Sequence, residues 1–322
     1  MNGTLTDISG LKVGHAQDHQ GITGCTVILC GEGAVAGVEV RGSAPGTRET
    51  DLLHPIKMID RVHAILLSGG SAFGLDAAGG VMRFLEEHNI GFDVGVARVP
   101  IVPAAVLFDL MIGDPKVRPD AAMGYEACQN ATAETVVQGS IGAGTGATVG
   151  KLLGPKLAMK SGLGSASMKI GGGVRVAALV AVNAFGDVIH PETQEILAGV
   201  RKPVVGGFAD SGKLITGDLN RIIAGFHTNT TLGVVATDAA LTKTEAAKVA
   251  QMAHNGYART IRPVHTQYDG DTIFSLSYGD KRSDLNAVGF AASLVMEMAV
   301  VNAVKRAQSA GGLPAWSGTS RG

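Results

Sequence analysis

The run His227-Thr-Asn-Thr-Thr-Leu-Gly-Val-Val-Ala-Thr-Asp-Ala239 sets an asparagine and two adjacent threonines directly against an apolar segment. Residues 232–236 have the length and β-branched content of a buried strand. The polar half admits two readings. In the first, Asn229, Thr230 and Thr231 form a turn into the strand, since Asn favours turns and Thr favours strands. In the second, Thr230 is a nucleophile. A threonine hydroxyl reacts poorly until a base takes its proton, but if the chain breaks just before Thr230, the freed α-amino group can be that base. Its unperturbed pKa of roughly 7.7–8.0 suits the task. Asn229-Thr230 is then the processed bond: the hydroxyl attacks the Asn229 carbonyl and water opens the resulting ester.

Downstream, Thr242-Lys-Thr-Glu245 has capping-box spacing, and Ala246, Val249, Ala250, Ala253 and Tyr257 continue one apolar helical face. Residues 272–278 read as a strand and 286–308 as a long helix buried on more than one side, with a loose tail after Gly311. Upstream, 25–29 and 34–40, separated by Cys-Gly-Glu-Gly, read as a hairpin. Residues 64–68 form a strand that Gly69-Gly70-Ser71 turns into a helix over 73–87, and 174–182 form another strand. The mixed segment 192–220 reads as a surface connection. Hairpin-length loops among late or single helices argue against a simple alternating parallel sheet. The expectation is an αββα sandwich, two sheets face to face with helices outside, formed by one domain spanning 1–322.

Composition narrows the function classes. The 322 residues are 45% hydrophobic, and 27 basic against 28 acidic side chains leave a formal charge of -1. With no basic stripe interleaved with aromatics, nucleic acid is not an expected partner. The N-terminus lacks a signal-like pattern and no uninterrupted apolar run reaches membrane-spanning length, so a cytoplasmic protein without a membrane partner is expected. Cys25, Cys30 and Cys128 are too few for a disulfide framework and read as buried thiols. The nine histidines lack ligand spacing, so no metal or other cofactor is expected. The glycine-rich stretch 139–151 invites a phosphate-loop reading, but five residues separate Gly144 from Gly150 and Leu152 follows Lys151 where Ser or Thr should bind magnesium.

Four further residues join Thr230 as candidates. Asp269 and Asp271, in His265-Thr-Gln-Tyr-Asp-Gly-Asp271, stand at the start of the 272–278 strand. There they either hold and orient an ammonium or hydroxyl, or form a solvated Asp-Gly turn. Asn183 ends the 174–182 strand, placed to donate to an oxyanion or to act as an ordinary turn residue. Lys151 either contacts the threonine and lowers its proton affinity, or lies on the surface.

Gly-Leu-Lys-Val-Gly-His at 10–15, Ser-Gly-Gly-Ser-Ala-Phe-Gly-Leu-Asp-Ala-Ala at 68–78 and the region 229–274 together resemble the family of L-aminopeptidase/D-esterases, β-peptidyl aminopeptidases and nylon-oligomer hydrolases. That resemblance implies a self-processing amidohydrolase of αββα, N-terminal-nucleophile type, acting on small peptides or amides. It implies fragments 1–229 and 230–322 that stay together and assemble into homo-oligomers, with a tetramer favoured. By position it implies Thr230 as nucleophile, Asn229-Thr230 as the processed bond, and Lys151, Asn183, Asp269 and Asp271 as supports. One position departs from the pattern: Phe108 stands where several members have a tyrosine in the oxyanion site, and a phenyl ring donates no hydrogen bond. Nor does any acidic residue near 100–107 offer a clamp for a substrate ammonium. Two alternatives therefore stand: an acyltransferase resembling ornithine acetyltransferase, and a non-cleaving scaffold or binding protein of the same fold.

Overall fold

A computed structural model describes residues 3–203, 206–217 and 229–318. Nine strands form one hydrogen-bonded sheet: β1 (Lys12–Asp18), β2 (Thr23–Val40), β3 (Gly46–Arg48), β4 (Arg61–Ser68), β5 (Ala104–Val106), β6 (Leu163–Lys169), β7 (Arg175–Ala181), β8 (Leu232–Ala239) and β9 (Thr272–Lys281). Their order is β6-β7-β8-β9-β2-β4-β5-β3, with β1 on β2. Among the described residues five α-helices accompany them: α1 (Ala77–Glu87), α2 (Ala121–Gln129), α3 (Ser211–Thr216), α4 (Lys243–Thr260) and α5 (Leu285–Lys305).

The period-two alternation of the strands sorts their side chains into three cores. On β8, Leu232, Val234 and Ala236 join Leu179 of β7 and Phe274 of β9 in a core shared with Ile28 of β2 and Ile65 of β4. Val235, from the opposite face of β8, packs instead with Val249 of α4 and Val295 of α5. Val27 of β2 and Leu66 of β4 face Val81 of α1 and Ala127 of α2. The sequence of layers is therefore helix, sheet, sheet, helix, as expected.

The two sheets of the sandwich are nonetheless continuous, because the expected hairpin at 25–40 is a single bent strand. Residues 25–29 and 34–35 both pair with β4, and the intervening four residues bulge opposite His63. Gly31 and Gly33 supply the positive φ values, 53° and 110°, that a turn would also have needed. Beyond the bulge, β2 pairs with β9 and carries the sheet from one layer into the other.

Other expectations are met or adjusted by packing. The Thr242–Glu245 capping box is present, and the side-chain oxygen of Thr242 accepts from the Glu245 N–H. Helix α5 has the length and composition of a membrane span, although Ser293, Glu297 and Asn302 interrupt its apolar run. Of its most apolar stretch 67% is buried inside the molecule, so that apolarity serves the core against β6, β7 and α4. The tail is not loose as far as it is described: Pro314 accepts a hydrogen bond from the Lys160 N–H, and Ala315 is fully buried. Within 192–220, the strand Ile196–Ala198 pairs with Asp187–Ile189, and Val200 and Ser211 are buried, so this is more than a surface connection. Residues 204–205 and 218–220 of it lie outside the described residues.

Topology places the site. Strands β8 and β9 run parallel, with Leu232 opposite Thr272, and a bridge pairs Asn229 with Asp269 further back. Residues 229–231 and 269–271 thus start side by side. Strand β7 runs antiparallel to β8 and ends at Ala181, which brings Asn183 to the same edge.

Candidate active site

All five candidate residues meet at this edge. Asn229, Thr230 and Thr231 are buried, at 3%, 4% and 0% exposure, so the trio is no solvated turn. The Thr230 hydroxyl donates to the Asn229 carbonyl oxygen at 2.5 Å. The same oxygen accepts the Gly270 N–H at 2.8 Å, and the Thr230 N–H donates to the main-chain oxygen of Asn183 at 3.1 Å. The bond expected to break therefore has a hydroxyl beside its carbonyl and a backbone donor already on its oxygen.

Lys151 is drawn inward. Its ammonium donates to Asn183 Oδ1 at 2.7 Å and to the Asn183 main-chain oxygen at 3.1 Å. Lys151 Nζ and the Thr230 nitrogen accordingly share one acceptor. Burial lowers the Lys151 pKa to about 7, although the carboxylates of Asp269, Asp109 and Asp271 pull it back up. Asn183 Oδ1 also receives the Thr148 N–H at 3.0 Å, and these donors fix which way the amide faces. Its Nδ2 donates to the Phe108 carbonyl at 2.9 Å, so Phe108 meets Asn183 through its backbone.

Asp269 and Asp271 are buried as well and hold different partners. Asp269 Oδ2 accepts the Thr266 N–H at 3.0 Å and the Thr266 hydroxyl at 2.5 Å. Burial first, and the neighbouring Asp271 charge second, hold its carboxyl above the usual range. Asp271 Oδ1 accepts the Thr231 N–H at 2.8 Å, while Oδ2 accepts the His265 N–H at 3.1 Å and faces His265 Nδ1 at 2.9 Å. Asp271 thus acts on the residue after Thr230 and not on its hydroxyl.

Beside Asn229 opens a pocket of ≈ 220 Å³, lined by Lys151, Lys156, Asp109 and the apolar side chains of Phe108, Met111 and Ile112, among others. Both Asp109 oxygens are engaged, one by the Thr23 hydroxyl and one by the Gly70 N–H, each at 2.7 Å. The glycine-rich stretch serves this wall. Its Thr145 and Ala147 carbonyls receive the fully buried Lys160 ammonium at 2.8 and 2.7 Å, so these two peptides turn acceptors around a cation. Such bonds offset the several kcal/mol that burying an ammonium costs.

Sequence reasoning missed the Gly270 N–H, His265 and Lys160. A glycine between two aspartates reads as a turn, and its donor gains meaning only from the parallel register of β8 and β9.

The fold is shared with solved structures. An L-aminopeptidase D-Ala-esterase/amidase from Ochrobactrum anthropi, described as a variant of the Ntn hydrolase fold, aligns with TM-score 0.74 at 21% identity over 98% of this chain and 90% of that one. A Burkholderia sp. beta-aminopeptidase aligns with TM-score 0.70 at 21% identity over 97% and 89%. The chain belongs to peptidase family S58, whose family model matches residues 3–315, and is thereby placed among hydrolases of peptide and amide bonds. Among its relatives, an uncharacterized aminopeptidase of Mycobacterium leprae is 41% identical over 98% of this chain and 93% of its own length. A 6-aminohexanoate-oligomer endohydrolase of Kocuria sp. is 31% identical over 93% of this chain and 85% of its own.

Proposed function

We propose that the chain cleaves itself between Asn229 and Thr230 and then uses the new N-terminal Thr230 to hydrolyse amide bonds of small linear substrates. The observation that carries this reading is the Asn229 carbonyl, which has the Thr230 hydroxyl at 2.5 Å and the Gly270 N–H at 2.8 Å on one oxygen. In the first step Thr230 Oγ1 bonds to the Asn229 carbonyl carbon, and the negative oxygen rests on the Gly270 N–H. The C–N bond then breaks, the nitrogen takes up the hydroxyl's proton, and an ester remains. Water hydrolyses that ester to the Asn229 carboxylate and a free Thr230 hydroxyl.

For turnover, the α-amine of Thr230 accepts the hydroxyl proton, the hydroxyl attacks the substrate carbonyl, and the proton passes to the leaving amine. Gly270 N–H again receives the oxyanion, and Asn183 Nδ2, with one hydrogen on Phe108, has a second for the same oxygen. Lys151 and the two aspartates position and tune the threonine. The fragments 1–229 and 230–322 stay joined, because β8 and β9 of the second are hydrogen-bonded to β7 and β2 of the first. Oligomers of such pairs, formed in the cytoplasm, complete the proposal.

The apolar pocket wall beside Lys151 and Lys156, with no free carboxylate, suits an aliphatic chain better than an ammonium. Together with the relatives named for 6-aminohexanoate oligomers, it favours linear aminoalkanoate amides as substrates. Incubation with such an oligomer should release amine and carboxylate in equal amounts. Acyl transfer to an added amine in place of hydrolysis would identify the transferase instead.

Gly270 provides a steric test of maturation. A Cβ there would stand 2.6 Å from Thr230 Oγ1 and 2.6 Å from the Ala44 carbonyl oxygen. Gly270→Ala is expected to run as one uncut chain on a denaturing gel and to fold normally by circular dichroism of the native protein. Cleavage at the wild-type rate would contradict the placement of the hydroxyl.

A further inference from the structure

Behind Asp271, between β8 and α4, the described residues hold four buried polar atoms without hydrogen-bond partners: Thr231 Oγ1, Tyr257 Oη, His254 Nδ1 and His265 Nε2. They are neighbours. The rings of His254 and His265 lie 4.8 Å apart between centroids, and those of His254 and Tyr257 5.4 Å. Tyr257 Oη packs closely over Gly233, on the same face of the strand as Thr231.

The outward bonds of the two histidines place a proton on each ring. His265 Nδ1 faces Asp271 Oδ2 at 2.9 Å and so carries a proton toward that carboxylate. His254 Nε2 faces the Glu39 carbonyl at 3.1 Å and carries its proton there, leaving Nδ1 a lone pair. Burial, the largest influence on His254, keeps that ring neutral, with a pKa lowered to about 3. His254 Nδ1 is therefore an acceptor close to the Tyr257 and Thr231 hydroxyl donors, a set that an internal water can complete.

We propose that His265 is a positioning residue for the nucleophile, clamping Asp271 from behind so that its other oxygen holds the Thr231 N–H and fixes Thr230 against its two hydrogen-bond partners. The inference rests on the reading of Thr230 as the nucleophile. Asp271 Oδ2 takes both the N–H and the ring of His265, while Oδ1 takes Thr231, so the carboxylate can rotate only if His265 lets go. His265 itself sits at φ 55°, a left-handed conformation that asparagine adopts more readily than most residues and alanine adopts at a cost.

The test uses the full-length protein, with cleavage followed by intact mass and turnover counted per cleaved molecule. His265→Ala is expected to slow cleavage and kcat by ~10–100-fold with little change in KM, the effect of a small misplacement of a reacting group. His265→Asn, which tolerates the backbone and keeps a donor near the Nδ1 position, is expected to restore most of both. If wild type is cleaved and His265→Ala matches it in cleavage rate and kcat, the positioning role is wrong while Thr230 stands. Two variants that are equally slow and equally lowered in Tm would likewise overturn it, in favour of a purely structural role. An uncleaved but active wild type would instead overturn the assignment of Thr230.

Discussion

Thr230→Ala should yield one uncut chain with no amide hydrolysis. In the proposed mechanism the side chain supplies both the hydroxyl that attacks the Asn229 carbonyl and the group that later carries the acyl moiety, so a single deletion removes two reactions. The expected fall in kcat is on the order of 10⁴-fold or more, in the range seen when a covalent nucleophile is removed. Fold and stability should change little, because Thr230 lies ahead of β8 and outside the three apolar cores. An amide-hydrolysis assay paired with a denaturing gel checks both arms. Wild-type turnover in the variant would move the chemistry elsewhere.

Lys151→Met should produce the second largest loss, ~10²-fold in kcat/KM, and a shift in pH dependence. Lys151 Nζ and the Thr230 nitrogen both donate to the Asn183 main-chain oxygen. After the proposed cleavage that nitrogen is an amine, so two basic groups share one acceptor and each disfavours a proton on the other. With its own pKa lowered to about 7, Lys151 is still charged on the acid side of neutrality. In the proposed mechanism it helps there to keep the α-amine unprotonated and able to act as base. The sign follows: removing the cation raises the amine's pKa, so the acid limb of the kcat/KM profile should move to higher pH by ~1 unit. A profile with an unmoved acid limb would leave Lys151 only the task of holding Asn183.

The sequence made strand and helix types legible wherever one face is buried. Val234 and Val235 fall into different cores because β8 alternates, and the capping box at Thr242 begins α4 as its spacing predicts. It misjudged places where glycine or polarity has two structural meanings. Cys30-Gly-Glu-Gly33 has turn chemistry yet forms a bulge, because residues on both sides of it find β4 as a common partner. The tail after Gly311 looks featureless, but Pro314 is fixed by the backbone of Lys160, a contact across the chain that no local pattern encodes.

The site divides in the same way. Thr230, Asp269 and Asp271 stand out because small polar groups precede apolar runs, and Asn183 because it follows one. Their convergence depends on β8 and β9 being parallel neighbours, a pairing between segments some forty residues apart that local periodicity does not specify. The glycine-rich stretch at 139–151 shows the converse. Its composition announces a special backbone, but only the Lys160 side chain reveals that the Thr145 and Ala147 carbonyls hold a lysine and no phosphate cradle.

The central claim is that a main-chain break before Thr230 creates the catalytic amine. Intact mass spectrometry of freshly purified wild-type protein tests it most directly. Two species are expected, about 23 kDa for 1–229 and about 9.5 kDa for 230–322, their shares by residue number of the 32.8 kDa chain. A single full-length mass in a preparation that hydrolyses amides would contradict the claim.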